Sequence, residues 1–250
     1  MTPALRLRGL SRRFGKTIAV DQLDLEVPRG SFYGFVGPNG AGKTTTLSMA
    51  TGLLRPDAGT AEVAGIDVWR SPTEAKRRMG VLADSVMLFN KLTGEQLVTY
   101  SGLLRGMSRD TVAPRCADLL RVLGLQEASG TLVQDYSAGM TKKVALASAM
   151  IHAPELLVLD EPFEAVDPVS ARTIRGLLES YVASGGTVIL SSHVMDMVQR
   201  MCTHVGIIAH GRLLASGTLD QVRGDTDLES RFVELVGLDG GDQELSWLRL

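Results

Sequence analysis

No stretch of this 250-residue chain approaches the roughly 20 apolar residues that a helix needs to cross a bilayer. The greasiest runs are as short as Leu156-Leu157-Val158-Leu159 and Val188-Ile189-Leu190. Any work at a membrane must therefore go through another protein. The opening MTPALRLRGLSRRFG alternates in polarity as a strand does and lacks the apolar core of a secretory signal, so the expected compartment is the cytoplasm. Cysteine is scarce: Cys116 and Cys202 are the only two. Cys116 repeats with Leu119, Leu120 and Leu123, and Cys202 falls beside Val194, Val198 and Met201, so both read as buried, reduced packing residues and not as a redox pair or metal site. A large excess of charge of either sign is missing too. The 26 Lys and Arg are mixed with 28 Asp and Glu for a net charge of −2, which excludes a nucleic-acid-wrapping surface with basic stripes. There is no internal repeat and no low-complexity segment.

What is present suits one large domain or two intimately packed subdomains. From residue 5 to about 36 the polarity has period two (LRLRGL, LDLEV, FYGFV), predicting strands that are half-buried at first and fully buried by Phe35-Val36. A helix is expected from 43 to about 53, ended by the Arg55-Pro56-Asp57-Ala58-Gly59 turn, with a strand beginning at Thr60. From 84 to 134 the signals are mainly helical, giving a helical insert at about 85–150 between two parts of an α/β core. A helical stretch from Lys142 leads to a strand over 156–159, an amphipathic helix over 171–181 and a strand over 187–190 before Ser191. This alternation implies a mostly parallel sheet covered by helices. The main domain is thus 1–223. The tail, 224–250, holds a short helix with Leu228, Phe232, Leu235 and Val236 on one face, then a Gly-Asp-rich break and ELSWLRL; it reads as a docking element or a stabilising flap.

Three elements carry chemistry. Gly37-Pro38-Asn39-Gly40-Ala41-Gly42-Lys43-Thr44 fits G-x-x-x-x-G-K-[ST] completely, directly after a predicted strand and before a predicted helix. Such a loop curls so that backbone N–H groups point at phosphate oxygens, and the helix adds its positive dipole end. Lys43 would reach the β- and γ-phosphates, the Thr44 hydroxyl would ligate Mg²⁺, and Thr45 belongs to the same binding stretch. Second, the apolar strand at 156–159 ends abruptly in Asp160-Glu161. Ligands bind at the carboxyl ends of parallel strands, so Asp160 is expected in the Mg²⁺ shell and Glu161 as the base that polarises water. A helix-capping pair before Pro162 is the bland alternative.

The third element separates nucleotide-hydrolysing classes. Tyr136-Ser137-Ala138-Gly139-Met140, just ahead of a helix, resembles the signature loop of ABC ATPases, usually written LSGGQ; Tyr136 replaces the leucine, Ala138 the first glycine and Met140 the glutamine. Physically it is a second phosphate cradle, and one chain with two cradles and one phosphate loop implies that the second serves a neighbouring subunit's nucleotide. Further landmarks of that family follow in order up to about residue 223. Ala165-Val166-Asp167 resembles the D-loop, and His193 in Ser191-Ser192-His193 resembles the switch histidine at the γ-phosphate. Phe14 stands where the family has an adenine-stacking aromatic, with plain core packing the alternative. Asp84 stands where the family has a glutamine, and a carboxylate there would be a further Mg²⁺ ligand. His152, His204 and His210 have no such context.

The resemblance implies a P-loop NTPase core with a mostly parallel sheet, a small antiparallel β subdomain and a helical subdomain. It also implies ATP and Mg²⁺ as cofactors, Lys43, Glu161 and His193 as the catalytic set, and a homodimer or paired ATPase subunit. The expected partner is an integral-membrane permease of the ABC type 2 kind, held at the inner face of the membrane, in an exporter. The alternatives are an importer subunit or a soluble member acting on another partner.

Overall fold

The structure, a computed structural model, describes residues 2–83 and 88–237. The chain opens with a hairpin of β1 (Leu5–Phe14) and β2 (Thr17–Val27). Its alternation turns Leu5, Leu7, Leu10, Val20, Leu23, Leu25 and Val27 inward. β3 (Phe32–Val36) is buried along its whole length. α1 (Lys43–Ala50) follows the phosphate-loop sequence. It stops short of residue 53 because Gly52 takes φ +76 and lets the amide of Leu53 return to the Ser48 carbonyl at 2.9 Å, a glycine-terminated helix end. β4 (Ala58–Val63), two residues earlier than the sequence suggests, and β5 (Ile66–Asp67) complete an antiparallel sheet of order β2-β1-β4-β5.

α2 (Pro72–Arg78) leads into β6 (Met79–Leu82), and the insert follows as α3 (Gly94–Leu104), α4 (Arg109–Val122) and α5 (Ala138–Met150). Then come β7 (Leu156–Leu159), α6 (Pro168–Ala183), β8 (Thr187–Ser192), α7 (Met195–Met201), β9 (His204–Ala209), β10 (Arg212–Thr218), α8 (Leu219–Arg223) and α9 (Leu228–Val236). The second sheet has order β10-β9-β3-β8-β7-β6 and is parallel except for β10.

Successive side chains of a strand face opposite ways, and here both faces are covered. Leu156 and Val158 join the core under the antiparallel sheet, while Leu157 and Leu159 join the core under the helices. That is why β7 reads as an unbroken apolar run. Burying each such side chain contributes about 1.5–3 kcal/mol. Cys116 and Cys202 are free and buried. In the tail, Leu228 is fully buried and Phe232, Leu235 and Val236 pack against the helical core; ELSWLRL lies outside the described residues.

Candidate active site

β3, β8 and β7 are neighbours, with Val36 level with Ser192 and Leu159 level with Leu190. The register therefore delivers residue 37, residue 160 and residues 191–193 to one edge. Glycine is required at two points of the loop 37–42. A Cβ at Gly37 would collide with the Ile208 carbonyl, and one at Gly42, whose φ is +106, with the Ala19 carbonyl. The loop is braced by Ala41 N–H to Pro38 O at 3.1 Å and by Gly211 N–H to Ala41 O at 2.9 Å.

Lys43 is 7% exposed. Its Nζ donates to the carbonyls of Gly37 (2.8 Å) and Pro38 (3.3 Å) and lies 3.7 Å from Glu161 Oε1. Pro38, Asn39, Gly40, Ala41, Thr44 and Thr45 line, with Lys43, a cavity of about 290 Å³ whose far wall is Glu161, Glu164 and His193. Asp160 is almost wholly buried; its amide donates to Leu82 O at 2.7 Å and its Oδ1 accepts from Ser191 Oγ at 2.5 Å. Glu161 takes a left-handed backbone, φ +45. Its N–H donates to Ser191 Oγ (2.8 Å), its carbonyl accepts from Lys142 Nζ (3.1 Å), and its Oε2 lies 3.2 Å from His193 Nδ1. A helix-capping role for the acidic pair is thereby set aside: Asp167, not Asp160 or Glu161, caps α6, accepting from the amides of Val169 and Ser170 at 3.0 Å each. A hydrogen bond from the Ser170 hydroxyl, followed by those from the Ser170 and Val169 amides, holds the Asp167 carboxyl below its ordinary range.

The sequence-expected metal ligands Asp160 and Thr44 are a carboxylate and an alcohol. Among the described residues no three His, Cys, Asp or Glu gather as a metal cluster. A hard-oxygen set of so few protein ligands fits Mg²⁺, which keeps waters and takes substrate phosphates as its remaining ligands. Asp84 lies outside the described residues.

The signature-like loop is elsewhere. Ser137 caps α5, its Oγ accepting from Met140 N–H at 3.3 Å, and Gly139 packs beside Asp167 and Ser170. Tyr136, in place of leucine, is buried and donates its hydroxyl to Ala128 O at 2.7 Å, and burial raises its pKa. None of residues 136–140 lines the 290 Å³ cavity. Phe14, at the hairpin tip, is 48% exposed with the Arg12 guanidinium 4.9 Å from its ring centre. The core-packing alternative for it is therefore incorrect, because the ring sits at the end of β1 beyond the buried alternation. The sequence does not single out Ala19 and Glu164, which line the cavity, or Lys142 and Ser191, which bond to the Glu161 backbone beside it. A hydroxyl ending an apolar strand, two residues before His193, was the available signal for Ser191.

The profile of the family described as ABC transporter matches residues 20–164. The chain is 38% identical over 222 residues to the daunorubicin/doxorubicin resistance ATP-binding protein DrrA of Streptomyces peucetius, covering 89% of this chain and 67% of that protein. It is 33% identical over 227 residues to the linearmycin resistance ATP-binding protein LnrL of Bacillus subtilis (strain 168), covering 91% and 71%. Among solved structures it is similar to an ATP-binding subunit of an ABC transporter, with a TM-score of 0.87, 28% identity and coverage of 93% and 99%. A dimeric post-hydrolysis ATP-binding cassette bound to ADP and Pi has a TM-score of 0.79 at 20% identity, covering 86% and 98%, a likeness of fold alone.

Proposed function

The chain belongs to the ABC transporter family of ATP-binding proteins and is an ATPase, and from that premise we propose that it powers an exporter. Two copies, or one copy and a paired ATPase subunit, meet head to tail around two MgATP and drive a separate permease of the ABC type 2 kind at the inner face of the membrane. The observation that carries this is the division of labour within one chain. The phosphate loop, Glu161 and His193 share a cavity, while Ser137 and Gly139, a second set of phosphate-facing groups at a helix N-terminus, stand outside it. Each cavity is then completed by the other copy.

In the closed dimer the backbone N–H groups of the 37–42 loop, proline excepted, cradle the phosphates, Lys43 neutralises the β- and γ-phosphates, and Phe14 stacks on the base. Thr44 and Asp160 would hold Mg²⁺, which would supply charge neutralisation on the phosphates. Glu161 orients water and accepts its proton, and His193, in contact with Glu161, hydrogen-bonds the γ-phosphate. Turnover reopens the interface, and closing and opening pass to the permease as a population shift.

A groove of about 620 Å³ with Val81, Leu88, Leu97 and Leu104 on its walls and Lys76 and Arg77 at its rim supports a protein partner. The resistance proteins that this chain resembles support the exporter reading. The test is to tag Glu161→Gln, express it in the native host, solubilise membranes in mild detergent with MgATP and identify what co-purifies. A multi-span membrane protein that is lost with Lys43→Ala is the expected result. Ribosomal or chromosomal proteins instead, or no membrane partner, would overturn the transporter reading and leave the ATPase in place.

A further inference from the structure

We propose that Ser191 is a positioning residue for hydrolysis, tying the Asp160 carboxylate to the Glu161 backbone with one buried hydroxyl. It is fully buried at the end of β8, level with Phe35 of β3 and one residue past the Leu159–Leu190 pairing that brings β7 alongside. A hydroxyl has one hydrogen to give. The Glu161 amide can only donate, so Ser191 Oγ accepts there at 2.8 Å and must send its own hydrogen to Asp160 Oδ1 at 2.5 Å. The direction of both bonds is thereby fixed. One oxygen of Asp160 is engaged, and the carboxylate cannot rotate without breaking that bond.

The second bond acts on Glu161. Its left-handed φ of +45 is unfavourable for a residue with a side chain. The residue is held in that state on both sides of its Cα, by Ser191 at the N–H and by the Lys142 ammonium at the carbonyl, 3.1 Å away. That conformation is what sends the Glu161 side chain across to Lys43 (3.7 Å) and His193 (3.2 Å). Ser191 therefore links the placement of two carboxylates through one atom and need not touch nucleotide. The inference rests on the reading of Asp160 and Glu161 given above.

The test uses the full chain with Ser191→Ala, Ser191→Thr and Asp160→Asn. ATP affinity is measured at equilibrium with a fluorescent analogue, first with chelator and then with Mg²⁺, alongside kcat and the melting temperature. For Ser191→Ala the expected result is unchanged affinity in chelator, a reduced gain in affinity on adding Mg²⁺, and a kcat lower by roughly 10- to 100-fold, the range for removing a hydrogen-bond partner of a metal-binding group. Ser191→Thr, which keeps the hydroxyl, restores both. The inference is overturned if Ser191→Ala keeps the wild-type Mg²⁺ gain and kcat, or if chelator-state affinity falls in step with lost folded protein, which marks a merely structural role. Asp160→Asn separates two failures. If it abolishes the Mg²⁺ gain while Ser191→Ala leaves it, Ser191 alone is misassigned; if Asp160→Asn also leaves the gain intact, the metal reading falls and takes the Ser191 inference with it.

Discussion

His152 sits half-buried after α5 with Nε2 3.0 Å from the Met79 carbonyl, and its Nδ1 is buried without a hydrogen-bond partner among the described residues. Burial, and then the positive charge of Arg105, push its pKa from 6.5 down to about 4; the Met79 carbonyl opposes them and Arg115 adds to them. Between those two values the unfolded chain binds a proton that the folded chain refuses, so stability is full above pH 6.5 and falls as the pH drops toward 4. The gap corresponds to about 3 kcal/mol at 1.36 kcal/mol per unit, and solvent screening of a half-buried ring brings it to about 2 kcal/mol. His152→Gln, which keeps a donor for Met79, is expected to flatten the melting temperature against pH over that window; a curve parallel to wild type would refute the assignment. The same scale shows why Ser191 escaped the sequence. Its two partners lie 30 and 31 positions away, and only strand register, which no local pattern states, brings them together.

At the scale of elements, start signals explain most differences between expectation and structure. The helix expected over 171–181 begins at Pro168, because Asp167 caps it and Pro168 occupies its first turn, where a missing N–H costs nothing. The helix expected from Lys142 begins at Ala138, because Ser137 caps it. Both caps are legible as residue types, since Ser and Asp are favoured at helix N-caps. The β9–β10 hairpin is not legible in the sequence although His210 and Gly211, with φ +50 and +76, form the left-handed turn that such a hairpin needs. Histidine is not among the residues that announce one. By contrast, β3 and β7 were legible because strands buried on both faces leave continuous apolar runs.

α3 offers a direct test of capping. Thr93 accepts from the Gln96 amide at 3.2 Å and the Gln96 side chain returns to the Thr93 amide at 3.0 Å. Thr93→Ala should cost about 1 kcal/mol, lowering the melting temperature by about 2–4 °C in calorimetry for a chain of this size. An unchanged transition would mean that the box contributes nothing.

For the whole molecule, the separation of the phosphate loop from the Ser137 loop makes a prediction that a one-chain active site cannot share. Lys43→Ala and Ser137→Arg should each be inactive alone. In a two-fold dimer each contact occurs twice with the roles exchanged, so a mixed pair gathers both lesions into one composite site and leaves the other intact. Equal mixing should therefore restore about a quarter of wild-type sites, since half the dimers are mixed and each has one good site of two. Turnover measured against mixing ratio checks this, and no recovery at any ratio would refute the shared-site reading.

The strand order has a further consequence, in time. β3 pairs with β8 and β9, so Tyr33 meets Ile189 and His204, which are made more than 150 residues later. At a synthesis rate of about 5–20 residues per second, that gap lasts roughly 10–30 s. Throughout it the nascent chain carries the apolar stretch Phe32–Val36 and the complete phosphate-loop sequence with no strand on either side. The segment that is read most easily from the sequence is thus one that completes its pairing only after β8 and β9 have been made.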